Sequence, residues 1–221
     1  YAQDNNFHLY DEKLNREAID LSLRRLETAK IIGTDTIRLD PRSSLPGSQE
    51  DADVDDLIER MAKSMAEIAQ AAAKEGIQVG VENHGRLLGR IAQTQRIIDL
   101  VNQPNFGINL DFTNFRQVFG EDHIEATRQF APQVKHVHAK DFHINSEPNT
   151  GDDWRQIPTG EYVHRAVGGE GDSNWAEVFT ILHNASFTGT IALEVWDPAD
   201  IHNSVAKGVA NMKRIIAEVV G

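Results

Sequence analysis

Four residues of this 221-residue chain could between them hold a divalent metal ion: Glu82, Asp111, His138 and Glu194. Each ends a short strand-like stretch. These lie in Ile77 to Gly85, Phe106 to Phe112, Val134 to Lys140, and Thr190 to Trp196. Side chains alternate between the two faces of an extended strand. Val79 and Val81 therefore face one way, and Gln78, Gly80 and Glu82 the other. The same alternation sets all four ligand-type residues on one face, at the ends of four strands. Three carboxylates and one imidazole suit a six-coordinate Mn²⁺, Mg²⁺ or Co²⁺ with open positions, and they also accept Zn²⁺. Mn²⁺ is the expected ion. The open positions would take two oxygens of a hydroxy-ketone. The metal would polarise the carbonyl and stabilise the enediolate left when a proton leaves the neighbouring carbon. Glu82 or Glu194 is placed to act as the base. A lone Glu at a strand end is ordinarily a solvated terminus, and a lone His is more often a surface or core residue than a ligand. Four such ends in register outweigh those readings.

Further residues gather around this set. Asp40 ends another strand on the same face and reads either as a substrate contact or as a turn-former before Pro41. His84 and Lys140 lie just past their strand ends, as substrate contacts or as solvated loop residues. His136 sits one layer below His138 and reads as a buried, hydrogen-bonded histidine. His143 and His164 are weaker candidates in a long loop. The run Gly168-Gly169-Glu170-Gly171 lacks the spacing of a nucleotide loop.

The elements that must position these residues alternate between strand and helix. Helices are expected over Asp11–Ile32, from Val54 to a stop at Gly76, over about Thr94–Asn102, about Asp122–Ala131, from a cap at Asn174, and about Asn203–Val220. On the first, Leu14, Ala18, Leu21, Ala29 and Ile32 form the expected buried stripe. Ile19, Leu23 and Leu26 form a second apolar face, fit for core or interface. Strands are expected over Thr34–Asp40 and at the four ligand-bearing stretches, with Tyr1–Tyr10 polar and turn-like. Ligand spacings of 29 residues from Glu82 to Asp111 and 27 from Asp111 to His138 equal one strand–helix unit per step. Such units give parallel strands with crossover helices. The inward positions Arg38, Gln78, Gly80, Gly107, Asn109, His136 and Ala192 are small or polar. A doubly wound sheet would be apolar on both faces, so a (β/α)8 barrel fits better. Only five strands are legible. The expectation is therefore one barrel domain over residues 1–221 that lacks its first three strands, with 143–174 as an active-site loop or lid.

Composition narrows the function class. A hydrophobic content of 40% with 25% charged residues is that of a globular protein in water. The formal charge of -12 argues against non-specific binding to nucleic acid or an anionic membrane. No apolar run is long enough to span a bilayer. With no cysteine there are no disulfides, thiolate ligands or Cys nucleophile, and a cytoplasmic location is the expectation.

The ordered set Val81-Glu82-Asn83-His84-Gly85, Asn109-Leu110-Asp111, His136-Val137-His138-Ala139-Lys140-Asp141, Gly169-Glu170-Gly171 followed by Trp175, and Ala192-Leu193-Glu194-Val195 resembles the sugar phosphate isomerase/epimerase family. These are xylose-isomerase-like TIM barrels, a superfamily that also contains endonuclease IV. The resemblance implies that Glu82, Asp111, His138 and Glu194 bind one metal, that Glu82 and Glu194 are the acid/base pair, and that Lys140 and Asp141 are the Lys-Asp pair beside the ligand His. The expected substrate contacts are His84, Asn114, Lys140, Asp141, Glu170, Trp196 and Asp40. Two departures stand out. Asn114 stands where many members have a His three residues after the ligand Asp, and Leu88 stands where ketose 3-epimerases carry a second Glu. The expected activity is a metal-dependent isomerase or epimerase of a sugar, ketose or polyol derivative. A lyase of the inosose-dehydratase type is the first rival. An endonuclease-IV-like hydrolase and a non-catalytic barrel fragment are the others. Open sheet edges would pair with a missing N-terminal segment or with a second copy of the chain.

Overall fold

Strand and helix alternate along the chain as the pattern predicts. The computed structural model describes residues 1–5, 7, 10–41, 54–149, 153–195 and 200–221. In order they form β1 (Ala2–Asn5), α1 (Glu12–Ile32), β2 (Thr36–Pro41), α2 (Val54–Lys74), β3 (Gln78–Glu82), α3 (Gly85–Leu88), α4 (Ile91–Val101), β4 (Phe106–Asp111), α5 (Phe112–Phe119), α6 (His123–Phe130), β5 (Val134–Ala139), β6 (Phe142–Asn145), β7 (Arg155–Gln156), β8 (Tyr162–Arg165), α7 (Trp175–Asn184), β9 (Ile191–Leu193) and α8 (Ile201–Val220). Two compact units result: Tyr1–Leu110 with Gln133–His136, and Asp111–Pro132 with Val137–Gly221.

In the first unit β1, β2, β3 and β4 run parallel in that order. Ala2 lies opposite Arg38, Ile37 opposite Val79, and Val81 opposite Ile108. Ile37, Leu39, Val79, Val81, Ile108 and Leu110 are fully buried, as their alternation requires. Helix α2 packs against β3, α1 and α4. Its stripe of Leu57, Ile58, Met61, Met65, Ile68, Ala69 and Ala72 is fully buried, and each of the large side chains contributes about 1.5–3 kcal/mol. The other face of the strands is small because neighbouring backbone crowds it. A Cβ on Gly80 would lie 3.0 Å from the Asn109 nitrogen, and one on Gly107 only 2.0 Å from the Gln133 carbonyl oxygen.

Two expectations fail here. The segment Tyr1–Tyr10 supplies β1, so among the described residues six strands rather than five take part in the parallel sheet. Its ladder is made by backbone groups, such as Arg38 N donating to Tyr1 O at 2.9 Å, and needs no apolar side chains to form. Helix α1 is rotated from the expected stripe. Ile19, Ser22, Leu26 and Ala29 are buried, whereas Leu14, Leu21 and Ile32 are exposed. Polar links to α2 hold this face inward: Arg16 forks onto Glu67 at 2.9 Å through both nitrogens, and Asn15 donates to Ser64 at 3.1 Å.

In the second unit α5 follows Asp111 without a loop and stops at Gly120, whose φ is +70°. Helix α6 is capped by Asp122, which accepts from Ile124 N and Glu125 N. Asn174 caps α7 as expected, accepting from Glu177 N. The latter half of β5 runs parallel to β9, with His138 opposite Ala192. The segment 143–174, expected as an irregular loop, instead carries most of a three-stranded antiparallel sheet in the order β6-β8-β7. Its residues 150–152 lie outside the described residues. Polar strand residues such as His143, Arg155 and Gln156 hide it from an apolar-pattern reading. Among the described residues no helix is long and apolar enough to cross a membrane.

Candidate metal centre

Of the predicted ligands, the first unit carries Glu82 and the second carries Asp111, His138 and Glu194. In the first, Glu82 closes β3 and Asp40 lies near the end of β2, both buried. Arg38 reaches both, with Nη1 2.8 Å from Glu82 Oε2 and Nη2 3.0 Å from Asp40 Oδ2. His84 Nδ1 lies 3.1 and 3.3 Å from the two Asp40 oxygens. A carboxylate only accepts, so Nδ1 carries the proton and donates it. Asp40, Glu82 and His84 each offer a ligand atom within 4.8 Å of the others.

The second cluster holds Asp111, His138, Lys140 and Glu194. Asp111 ends β4 and is fully buried. The Thr113 hydroxyl donates to its Oδ1 at 2.8 Å, and Lys140 Nζ lies 2.5 Å from its Oδ2. Glu194 follows β9 and is tied to the end of β5 by its N–H donating to Ala139 O at 3.0 Å. Its Oε2 lies 3.4 Å from His138 Nδ1 and its Oε1 3.2 Å from Lys140 Nζ. The hydrogen bond from His138 lowers the Glu194 pKa to about 2, with help from the Lys140 charge and against the cost of burial. Its side chain is still 43% exposed, so it can touch a bound small molecule.

Ligand atoms of Asp111, His138 and Glu194 lie within 4.8 Å of one another. A metal–oxygen distance of about 2.1 Å puts two ligands across one ion about 4.2 Å apart. The three side chains therefore fit one divalent ion after small rotamer shifts, and the donor set is the oxygen-rich kind that Mg²⁺, Mn²⁺ and Zn²⁺ all accept.

Asp141 acts on the backbone around it. It is buried, and its two oxygens accept from the N–H groups of Phe142, Gly169, Gly171 and Ser173 at 2.9–3.1 Å. Gly171 is needed for this approach, since a Cβ there would lie 2.4 Å from Asp141 Oδ1. Glu170 sits exposed in the turn so formed. Asn114 is buried in α5, and its Nδ2 has no hydrogen-bond partner among the described residues. His143 and His164 face each other in the small sheet, and His164 packs against Trp154. Trp196 lies outside the described residues. Sequence reasoning missed Arg38 as a site residue, although its place on the inward face two residues before Asp40 was the available signal. It also missed Thr113, whose hydroxyl follows Asp111 by two residues.

A family model described as xylose isomerase-like TIM barrel matches residues 4–215. Inosose dehydratase 1 of Bacillus cereus is 25% identical over 147 residues, covering 63% of this chain and 48% of the relative. The chain thus matches about half the length of that relative. A xylose isomerase-like TIM barrel protein from Mycobacterium smegmatis, solved with magnesium, superposes with a TM-score of 0.76 at 15% identity, covering 99% of this chain and 73% of that one. The 3-keto-D-glucoside 4-epimerase YcjR of E. coli superposes with a TM-score of 0.70 at 18% identity, covering 94% and 76%.

Proposed function

The chain belongs to the xylose isomerase-like TIM barrel family, and from that premise we propose that it is a divalent-metal-dependent enzyme acting on a sugar, ketose or polyol derivative. The reaction is proton transfer at a carbon beside a carbonyl, giving an isomerase or epimerase. The observation that carries this reading is the convergence of Asp111, His138 and Glu194 within ligand distance of one another. Glu82, at the end of β3, is the proposed fourth ligand. It rests on the strand-end pattern of the sequence, and Glu82 does close β3.

The bound ion would supply a Lewis acid that polarises the substrate carbonyl. Glu194 is the proposed base. It is ionised at neutral pH, and it is partly exposed. Glu82 is buried and salt-bridged to Arg38, which suits a ligand better than a mobile base. His84, whose Nδ1 proton is given to Asp40, presents Nε2 as a proposed hydrogen-bond acceptor for a substrate hydroxyl.

A second reading is dehydration, in which loss of hydroxide from the next carbon follows the same proton removal. The matched relative named inosose dehydratase favours it. One experiment tests both. The metal-loaded protein is incubated in D₂O with a panel of ketoses, keto-glycosides and inososes and read by mass spectrometry. Deuterium uptake at constant formula supports isomerase or epimerase. Loss of one water supports the dehydratase. Neither outcome across the panel overturns both. Glu194→Gln should cut the exchange rate by about 100-fold or more, the usual worth of a positioned base.

A further inference from the structure

We infer that Lys140 is the resident counter-cation of the metal site, and that a divalent ion binds Asp111 and Glu194 only by displacing its ammonium group. This rests on the metal reading above.

The inference starts from a buried charge. Asp111 is fully buried, and a buried carboxylate is costly unless a positive partner offsets it. Thr113 satisfies one oxygen, at 2.8 Å. The other lies 2.5 Å from Lys140 Nζ, and the same nitrogen lies 3.2 Å from Glu194 Oε1. One ammonium thus bridges two of the three clustered ligands. It uses the oxygen electron pairs that a metal would take.

Metal and ammonium compete for those oxygens. An ion about 2.1 Å from the same two oxygens would sit within about 4.6 Å of the ammonium. A double and a single positive charge at that distance repel by many times the thermal energy, even at an effective dielectric of about 20. This repulsion offsets the hold of the two carboxylates on the ammonium and favours its departure.

The surroundings decide how. The backbone at Lys140 is pinned: the Trp175 indole N–H donates to Lys140 O at 3.1 Å, and the next residue, Asp141, accepts four backbone N–H groups. Only the flexible four-carbon stem can move. Its 19% exposure shows a route to solvent. Loading the metal therefore exchanges one cation for another and releases an ammonium group beside Glu194.

The test is calorimetric titration of Mg²⁺, Mn²⁺ and Zn²⁺ into the wild-type protein, Lys140→Met and Lys140→Arg. Lys140→Met should bind about tenfold more tightly or better, because the competitor is gone and the site is more negative. Lys140→Arg, which keeps the charge, should bind no more tightly than wild type. Equal or weaker binding by Lys140→Met, with wild type binding normally, overturns the inference and leaves the proposed function standing. Binding by Lys140→Met alone supports it. No binding by any of the three overturns both. Unmodified protein gives an independent readout should Lys140→Met fail to fold. Acylation of Lys140 by acetic anhydride, read by peptide mass spectrometry, should speed up several-fold when metal is added. An unchanged or slower rate overturns the inference.

Discussion

His123 sits at the start of α6 with Nε2 3.0 Å from the Ser173 carbonyl oxygen. A carbonyl only accepts, so Nε2 carries the proton. Nδ1 is buried without a partner among the described residues. A second proton there would place an unpaired charge in an apolar setting against Phe112. Burial accordingly lowers the His123 pKa from its ordinary 6.5, and the Ser173 carbonyl only partly offsets this. The unfolded chain then binds a proton more readily than the folded one. The neutral His123 contribution to stability is whole above pH 6.5 and is lost as pH falls from there toward the folded pKa. Urea titrations between pH 8 and 5 should show this loss in the wild-type protein and a flatter limb in His123→Gln. Identical limbs would remove the assignment. His123 was invisible to sequence reasoning because its role depends on Ser173, fifty residues away. The proposed ligand residues stand out in the sequence because each is a charged or imidazole group at the end of an apolar strand, a pattern local to a few residues.

Helices and strands were legible where one face is continuously apolar and lost where it is not. Helix α2 announced itself through seven fully buried side chains on one stripe. Helix α1 carries two apolar stripes, and the choice between them is made by Arg16, Asn15 and their partners on α2, information that no single helix contains. Strand β1 is held by its backbone, and β6, β7 and β8 carry polar residues, so period-two reasoning passed over all four. The small inward residues of the sheet, by contrast, were read correctly, and they make a prediction. A Cβ at Gly107 would meet the Gln133 carbonyl oxygen at 2.0 Å, and this is backbone leading into the next strand. At Gly33 a Cβ would meet nothing within 4 Å, and only its φ of +74° is strained. Gly33→Ala should therefore cost about 1–2 kcal/mol. Gly107→Ala should cost about 3 kcal/mol or more, because overpacking against backbone cannot be relieved by a rotamer change. Chemical denaturation of the two variants separates the effects. Equal losses would mean that the sheet yields at Gly107.

At the scale of the whole chain, charge is the feature the sequence states most directly. A formal charge of -12 repels itself, and self-repulsion destabilises a compact state. Added salt screens it, with a Debye length of about 10 Å at 0.1 M. Salt also weakens exposed ion pairs such as Arg16–Glu67 and Arg96–Glu59, but exposed pairs contribute only about 0–1 kcal/mol each, so relief of the net charge should win. Thermal unfolding should shift upward between 10 and 200 mM NaCl, by about 2–4 °C for each kcal/mol gained in a chain of this size. This generic rise has to be separated from a metal's effect, since a divalent salt also screens. A site-bound ion stabilises by mass action, about 2.7 kcal/mol at one hundred times its dissociation constant. It does so at constant ionic strength, where screening is fixed. Millimolar Mg²⁺ or Mn²⁺ added against compensating NaCl should therefore raise the transition further in the wild-type protein. In Asp111→Asn, which keeps the shape but loses the ligand charge, the metal-specific rise should vanish while the NaCl rise remains. A variant that keeps both responses would place the bound ion somewhere other than at Asp111.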